Sequence, residues 1–116
     1  MAEPLGQGLI DWRSLQQLSD GDRQFEKELL TMFVQDAGAQ LPRLKQAIAA
    51  RNASQVGKLA HYLKGASGNI GILPFSHCAA TLETQARQGN LAASEQLLAH
   101  LQGLLNQVQQ LLKQMG

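Results

Sequence analysis

The stretch LLAHLQGLLNQVQQLLKQM, residues 97–115, decides the fold class. Its apolar residues recur alternately four and three positions apart, at Leu97, Leu101, Leu104, Val108, Leu111 and Met115, and the same face is widened by Leu98, Leu105 and Leu112. This spacing is that of an α-helix with one broad apolar face. Because such a face must be covered by other helices, the stretch predicts one wall of a helical bundle rather than a free coiled coil.

The composition of the whole chain also favours helices. Its 116 residues include 20 Leu, 16 Gln and 15 Ala, which are good helix formers, but only three Val, four Ile and three Thr. One all-α domain is expected at this length. The eleven glycines do not fit this composition, since each glycine inside a helix costs about 0.5–1 kcal/mol relative to alanine.

Several classes of protein are disfavoured by the same counts. The single cysteine, Cys78, has no partner for an internal disulfide, and no Cys/His cluster has the spacing of a structural metal site, so none is predicted. Ten basic and nine acidic residues give a net charge of +1, which argues against nucleic acid or a membrane as the main partner. No apolar run approaches the roughly 20 residues of a membrane span, and the N-terminus lacks the features of a signal peptide. We therefore expect a cytoplasmic protein.

Breaks in the apolar pattern divide the chain. Residues 1–10 have no helical period and predict a flexible tail that docks through Leu9 and Ile10, whereas residues 11–116 are predicted to form the bundle domain. The second helix, whose apolar stripe is predicted to begin with Phe25, Leu29, Met32 and Phe33, is expected to kink or to divide near Gly38. In all, helices are predicted over about 12–18, 22–50, 56–71, 74–88 and 97–115. Short connections favour an antiparallel up-down four-helix bundle with a short extra N-terminal helix.

The predicted third helix has an unusual polar face. At about 100° per residue, its apolar side consists of Val56, Leu59, Ala60, Leu63, Ser67 and Ile70. His61 projects in the opposite direction, and Gly57, Lys64, Gly65 and Gly68 project on the same side as His61. Since glycines destabilise an exposed helix face, their clustering around one imidazole indicates that the surface of another protein approaches closely there.

The chemistry of His61 follows from its predicted surroundings. A metal site would need further ligands, but His77 and His100 have no helical spacing to it. A general base would need a substrate pocket, which a convex helix face does not provide. A nucleophile that accepts a group from a partner protein suits an exposed position. Lys64, one turn further on, can neutralise incoming negative charge, which favours phosphoryl transfer.

The segment HYLKGASGNIG, residues 61–71, strongly resembles the signature of the histidine-containing phosphotransfer (HPt) family. That signature is His-x-Leu-Lys-Gly-Ser/Ala-Ser/Ala with a glycine four residues later. The resemblance extends over roughly residues 11–115 and includes an Asp-Trp opening at 11–12, Phe25-x3-Leu29, and Leu82-Glu83 on the fourth helix.

The resemblance implies a function, partners and a cofactor arrangement. His61 would accept a phosphoryl group on Nε2 from the aspartyl phosphate of a response-regulator receiver domain and pass it to an aspartate of another receiver. The partners would be such receiver domains and a hybrid histidine kinase. The domain itself would bind no ATP, would not phosphorylate itself, and would have no cofactor of its own, because the receiver supplies the Mg²⁺.

The resemblance also implies roles for further residues. Gly65 and Gly68 would allow the receiver to approach, and Lys64 would hold the phosphoryl oxygens. Glu83 would bond Nδ1 of the histidine and leave Nε2 unprotonated. Ser67 belongs to the same motif and is grouped with these phosphate- or partner-binding residues, although its projection toward the core also suits a small packing residue.

Two other functions remain open from the sequence. The chain is also compatible with the phosphoacceptor domain of a chemotaxis-type kinase, which shares the His-x-x-Lys-Gly core and takes phosphate from an ATP-bound kinase domain. It is also compatible with a non-catalytic module that docks receivers, although the intact His61, Lys64 and Gly65 argue against this. The short chain favours a freestanding protein, and a closed bundle favours a monomer.

Overall fold

The computed structural model describes residues 8–116. These residues form five α-helices and no β-strand, as the sequence predicts. The helices are α1 (Trp12–Ser19), α2 (Arg23–Ala49), α3 (Ala53–Asn69), α4 (Leu73–Arg87) and α5 (Ser94–Gln114).

The starts of the helices follow from local chemistry. The side chains of Asp11, Asp22 and Asn52 each accept a hydrogen bond from a backbone N–H in the first turn of α1, α2 and α3 respectively. Such caps satisfy N–H groups that have no partner within the helix. Pro74 lies in the first turn of α4, where its missing N–H costs nothing.

The four long helices form an antiparallel up-down bundle. α3 packs against α2 and α4, α5 packs against the same two helices, and α1 packs on α2. Connections of only three to six residues (50–52, 70–72 and 88–93) force consecutive long helices to run in opposite directions. Within residues 8–116, no Cα atoms of α3 and α5 lie within 8 Å of each other, so these helices occupy diagonal corners. The predicted fold class is confirmed.

The second helix differs from its prediction. It continues without a break through Gly38 and contains Pro42. Phe33 is buried, but Phe25 and Met32 are 40% and 64% exposed, so their assignment to the buried stripe is wrong. The buried face is rotated relative to the predicted one and consists of Glu26, Leu30, Phe33, Ala37, Leu41, Leu44, Ala47 and Ile48.

A buried carboxylate forms part of this rotated face. Glu26 is only 2% exposed, and its Oε2 accepts a 2.7 Å hydrogen bond from Ser19 Oγ at the end of α1. Its Oε1 lies 3.5 Å from Arg23 Nη1. Burial of an acidic side chain is tolerable when it is bonded in this way, and the bond fixes α1 against the start of α2.

The segment before α1 is attached to the end of α3. Leu9 and Ile10 are buried, as expected for docking, and the N–H of Asp11 donates a 2.7 Å hydrogen bond to the carbonyl of Gly71. Residues 1–7 of the predicted tail lie outside the described residues. No helix in the described part of the chain has both the length and the apolar character required to cross a membrane.

Candidate functional site

His61 lies on the exposed face of α3. Its side chain is 63% exposed, whereas the apolar face of the same helix, which includes Val56, Ala60 and Leu63, is completely buried. The imidazole is therefore open to a partner protein while the backbone that carries it is fixed in the bundle.

Glu83 on α4 determines which nitrogen of the neutral His61 ring carries the proton. Its Oε2 lies 2.8 Å from Nδ1 of His61, and only 9% of its side chain is exposed. An ionised carboxylate can only accept hydrogen bonds, so Nδ1 donates and carries the proton of the neutral ring. The lone pair of Nε2 is then free to act as a nucleophile.

The same carboxylate has two cationic partners. Lys64 Nζ lies 3.1 Å from Oε1 of Glu83, and Arg87 Nη2 lies 2.7 Å from Oε2. Burial raises the pKa of Glu83, but its hydrogen bonds and charge interactions with Lys64 and His61 more than offset this, and the pKa is lowered. Glu83 is therefore ionised at neutral pH, when it links α3 to α4.

Arg87 was not identified from the sequence. It follows Glu83 by four residues on α4, the spacing at which an acidic and a basic side chain meet on one helix face, so a signal for the pair is present. That Glu83 also reaches His61 depends on the register between α3 and α4, which no local pattern contains.

The predicted glycines fall into three different environments. Gly65 is exposed, and a Cβ atom there would meet nothing within 4 Å. Gly68 is also exposed, but a Cβ atom would lie 3.1 Å from Ser76 Oγ of α4. Gly57 is buried, and a Cβ atom there would lie 3.7 Å from Arg87 Cγ of α4. The prediction that Gly57 belongs to the outward surface is therefore wrong, because α4 covers it.

Ser67 is not at the surface around His61. It is completely buried, and its Oγ donates a 2.7 Å hydrogen bond to the carbonyl of Leu63 in the preceding turn. Its inclusion among the partner-binding residues is therefore wrong, since the core encloses its hydroxyl. The structure brings together His61, Lys64, Glu83 and the exposed Gly65 and Gly68.

The remaining histidines do not join this site. His77 and His100 are exposed elsewhere on α4 and α5. Within residues 8–116, no group of three or more His, Cys, Asp or Glu side chains is arranged to hold a metal ion.

A model of the protein family described as the Hpt domain matches residues 28–111. The chain belongs to the Hpt domain family. Its role is histidine phosphotransfer in phosphorelays. A comparison with curated proteins found no match.

Two solved structures resemble this Hpt domain. One is the crystal structure of histidine-containing phosphotransfer protein B (HptB) from Pseudomonas aeruginosa PAO1, with 30% identity, a TM-score of 0.84, and coverage of 91% of this chain and 92% of that one. The other is the X-ray structure of a putative histidine-containing phosphotransfer protein from rice, with 22% identity, a TM-score of 0.79, and coverage of 95% and 84%. The rice protein supports the fold alone.

Proposed function

We propose that His61 is the phosphorylated residue and that this Hpt domain is a phosphorelay intermediate. It accepts a phosphoryl group from the aspartyl phosphate of one receiver domain and passes it to an aspartate of another. The observation that carries the proposal is the 2.8 Å hydrogen bond between Nδ1 and Glu83 on a largely exposed ring. This bond orients the imidazole and leaves Nε2 as the attacking atom.

The proposed transfer step forms one bond, breaks another, and places a positive charge on the His61 ring. The lone pair of Nε2 forms the N–P bond, while the P–O bond to the aspartate breaks and its electron pair stays on the aspartate oxygen. Nδ1 keeps its proton, so the ring gains a positive charge, which the adjacent Glu83 carboxylate stabilises. Lys64, one turn after His61 with a side chain 40% exposed, is proposed to turn toward the phosphoryl oxygens.

The division of labour with the receiver follows from this chemistry. Phosphoryl transfer depends mainly on positioning and on charge stabilisation, and this chain supplies an oriented nucleophile and one adjacent cation, Lys64. The Mg²⁺ that serves the reaction is proposed to belong to the receiver. The reverse step, from phosphohistidine to a second receiver aspartate, uses the same contacts.

The surface beside His61 suits a protein partner. Tyr62, the next residue, is 48% exposed, and its hydroxyl donates a 2.5 Å hydrogen bond to Oδ2 of Asp36 on α2. Met32, one turn before Asp36 on α2, is 64% exposed. Exposed apolar side chains beside a nucleophile indicate an interaction site. We propose that receiver domains, including that of a hybrid histidine kinase, dock here on a monomeric bundle.

Transfer of radiolabel tests the proposal. A receiver phosphorylated in the presence of Mg²⁺ should label this chain with an acid-labile, base-stable phosphate, as expected for a P–N bond. His61→Gln should abolish labelling and leave the helical content unchanged. His77→Gln and His100→Gln are matched controls, since both residues are exposed histidines, and these variants should be labelled normally.

Two results would contradict the proposal. Label retained by His61→Gln would place the phosphoryl group on another residue. Labelling by ATP and a chemotaxis-type kinase domain, but by no receiver, would assign the chain to the other kind of phosphoacceptor.

A further inference from the structure

Lys64 is already occupied in the resting site. Its Nζ lies 3.1 Å from Oε1 of Glu83, so a turn toward the phosphoryl oxygens would lengthen or break this contact. Glu83 would then lose a partner on an oxygen of which little is exposed, since only 9% of its side chain is accessible. Loss of a partner by a largely buried carboxylate is unfavourable, and this opposes the movement of Lys64.

Arg87 can offset this loss. Its Nη2 lies 2.7 Å from Oε2 of Glu83, and a guanidinium stays charged and carries five N–H donors in a planar fork. The pairing between Arg87 and Glu83 does not involve Lys64, because the two cations contact different oxygens of the carboxylate.

The two cations also approach from opposite sides. Along α3, Lys64 follows His61 by one turn, whereas Gly57 precedes it by one turn. The side chain of Arg87 packs against α3 at Gly57, where a Cβ atom would lie 3.7 Å from Arg87 Cγ. Arg87 therefore reaches Glu83 from the Gly57 side and leaves the Lys64 side free for the phosphoryl group.

We propose that Arg87 is a positioning residue, which keeps Glu83 paired and oriented toward His61 while Lys64 moves to the phosphoryl group. The Arg87 side chain packs over Gly57, where an added Cβ atom would already be in van der Waals contact with it. The proposal rests on the proposed function of His61. Arg87 itself contacts neither the phosphoryl group nor the reacting nitrogen.

A double-mutant cycle tests this role. Arg87→Gln removes the charge from an exposed position. It should slow transfer about fivefold at saturating receiver, because that factor corresponds to the interaction energy of a partly exposed ion pair. Affinity for the receiver should not change. In a Glu83→Gln background the same substitution should have no further effect, since Arg87 acts through the Glu83 carboxylate. Arg87→Lys should recover part of the rate.

Two further variants sharpen the test. Gly57→Leu should displace the Arg87 side chain and slow transfer in the native background, but not when Arg87→Gln is also present. Lys113→Gln is the matched control, because it removes an exposed cation from α5, the helix diagonal to α3. Its transfer rate should equal that of the native protein, and circular dichroism should show that every variant is helical.

Contrary results would have distinct meanings. Equal slowing by Arg87→Gln with and without the Glu83 carboxylate would overturn the proposal, as would weaker receiver binding with an unchanged rate at saturation. Either result leaves the proposed function intact if His61→Gln still abolishes labelling. Label retained by His61→Gln would instead contradict the proposed function itself.

Discussion

Gly65 and Gly103 have the same local surroundings on opposite sides of the bundle. Each lies within a long helix, is exposed, and would present an added Cβ atom to open space. Neither is required by the backbone, since neither has a positive φ. The two differ in that Gly65 lies one turn after His61, whereas Gly103 lies on α5, the helix diagonal to α3 among the described residues.

This equivalence provides a matched test of close approach by the receiver. Gly65→Gln and Gly103→Gln should each raise the free energy of unfolding by up to about 1 kcal/mol, because glycine is a poor helix former. Only Gly65→Gln should slow phosphoryl transfer, since its side chain would occupy the space the receiver needs. Urea unfolding and transfer kinetics measure the two effects. Native transfer by Gly65→Gln would refute the expected close approach.

Removal of the Glu83 carboxylate should change the protonation of the His61 ring. In Glu83→Ala, Nδ1 loses its acceptor, so the fraction of neutral ring with the proton on Nε2 should rise, and transfer should slow by about tenfold or more. Nitrogen-15 spectra of the imidazole measure the two tautomers. Glu95→Ala on α5 is the control, and both its spectrum and its rate should match the native protein. An unchanged tautomer ratio in Glu83→Ala would contradict the assigned proton position.

Glu83 should also make the stability depend on pH. Its pKa is lowered from the ordinary value of 4.5, so the native state binds fewer protons than the unfolded chain. The stabilisation is complete above the unfolded value and is lost as the pH falls through the lowered native pKa. The free energy of unfolding should therefore decline between about pH 5 and 3, and Glu83→Gln should flatten part of that decline.

Some acid sensitivity should remain in Glu83→Gln. The pKa of Asp11 is also lowered, mainly by the hydrogen bond from the Ser14 side chain. An identical decline in the native protein and in Glu83→Gln would show that Glu83 contributes nothing to it.

Gly71 should resist substitution for two separate reasons. Its φ is +82°, a conformation that L-residues rarely adopt, and a Cβ atom would lie 2.9 Å from the carbonyl oxygen of Asp11. Gly21 has nearly the same φ, +81°, but open space around it. Gly21→Ala should therefore cost about 1 kcal/mol, and Gly71→Ala should cost at least about 1 kcal/mol more because the docked segment must shift. Equal unfolding free energies for the two variants would exclude this contact as a source of stability.

The helices and the exposure of His61 could be predicted from the sequence because helical periodicity fixes the direction of each side chain. The same reasoning failed for Phe25 and Met32. There the buried face of α2 includes Glu26, which is bonded to Ser19, a contact between two helices that makes a charged residue part of the core. A pattern based on apolar residues alone cannot contain that information.

Only part of the site could be predicted from the sequence, for a similar reason. The pairing of Glu83 with the histidine came from a family resemblance, and Arg87 was missed. Both depend on how α3 and α4 are aligned, and contacts such as the 3.1 Å hydrogen bond from Ser76 Oγ to the Lys64 carbonyl hold that alignment. Gly57 was placed on the wrong surface because a helix projection does not show which polar faces a neighbouring helix covers.

The three-residue connection between α3 and α4 bears on the order of folding events. His61 and Glu83 are separated by only 22 residues, so little chain entropy is lost when the two helices come together. Contacts between neighbouring segments form faster than those between distant ones. We therefore expect the nucleophile and the carboxylate that orients it to meet in an early helical hairpin, before α5 closes the bundle.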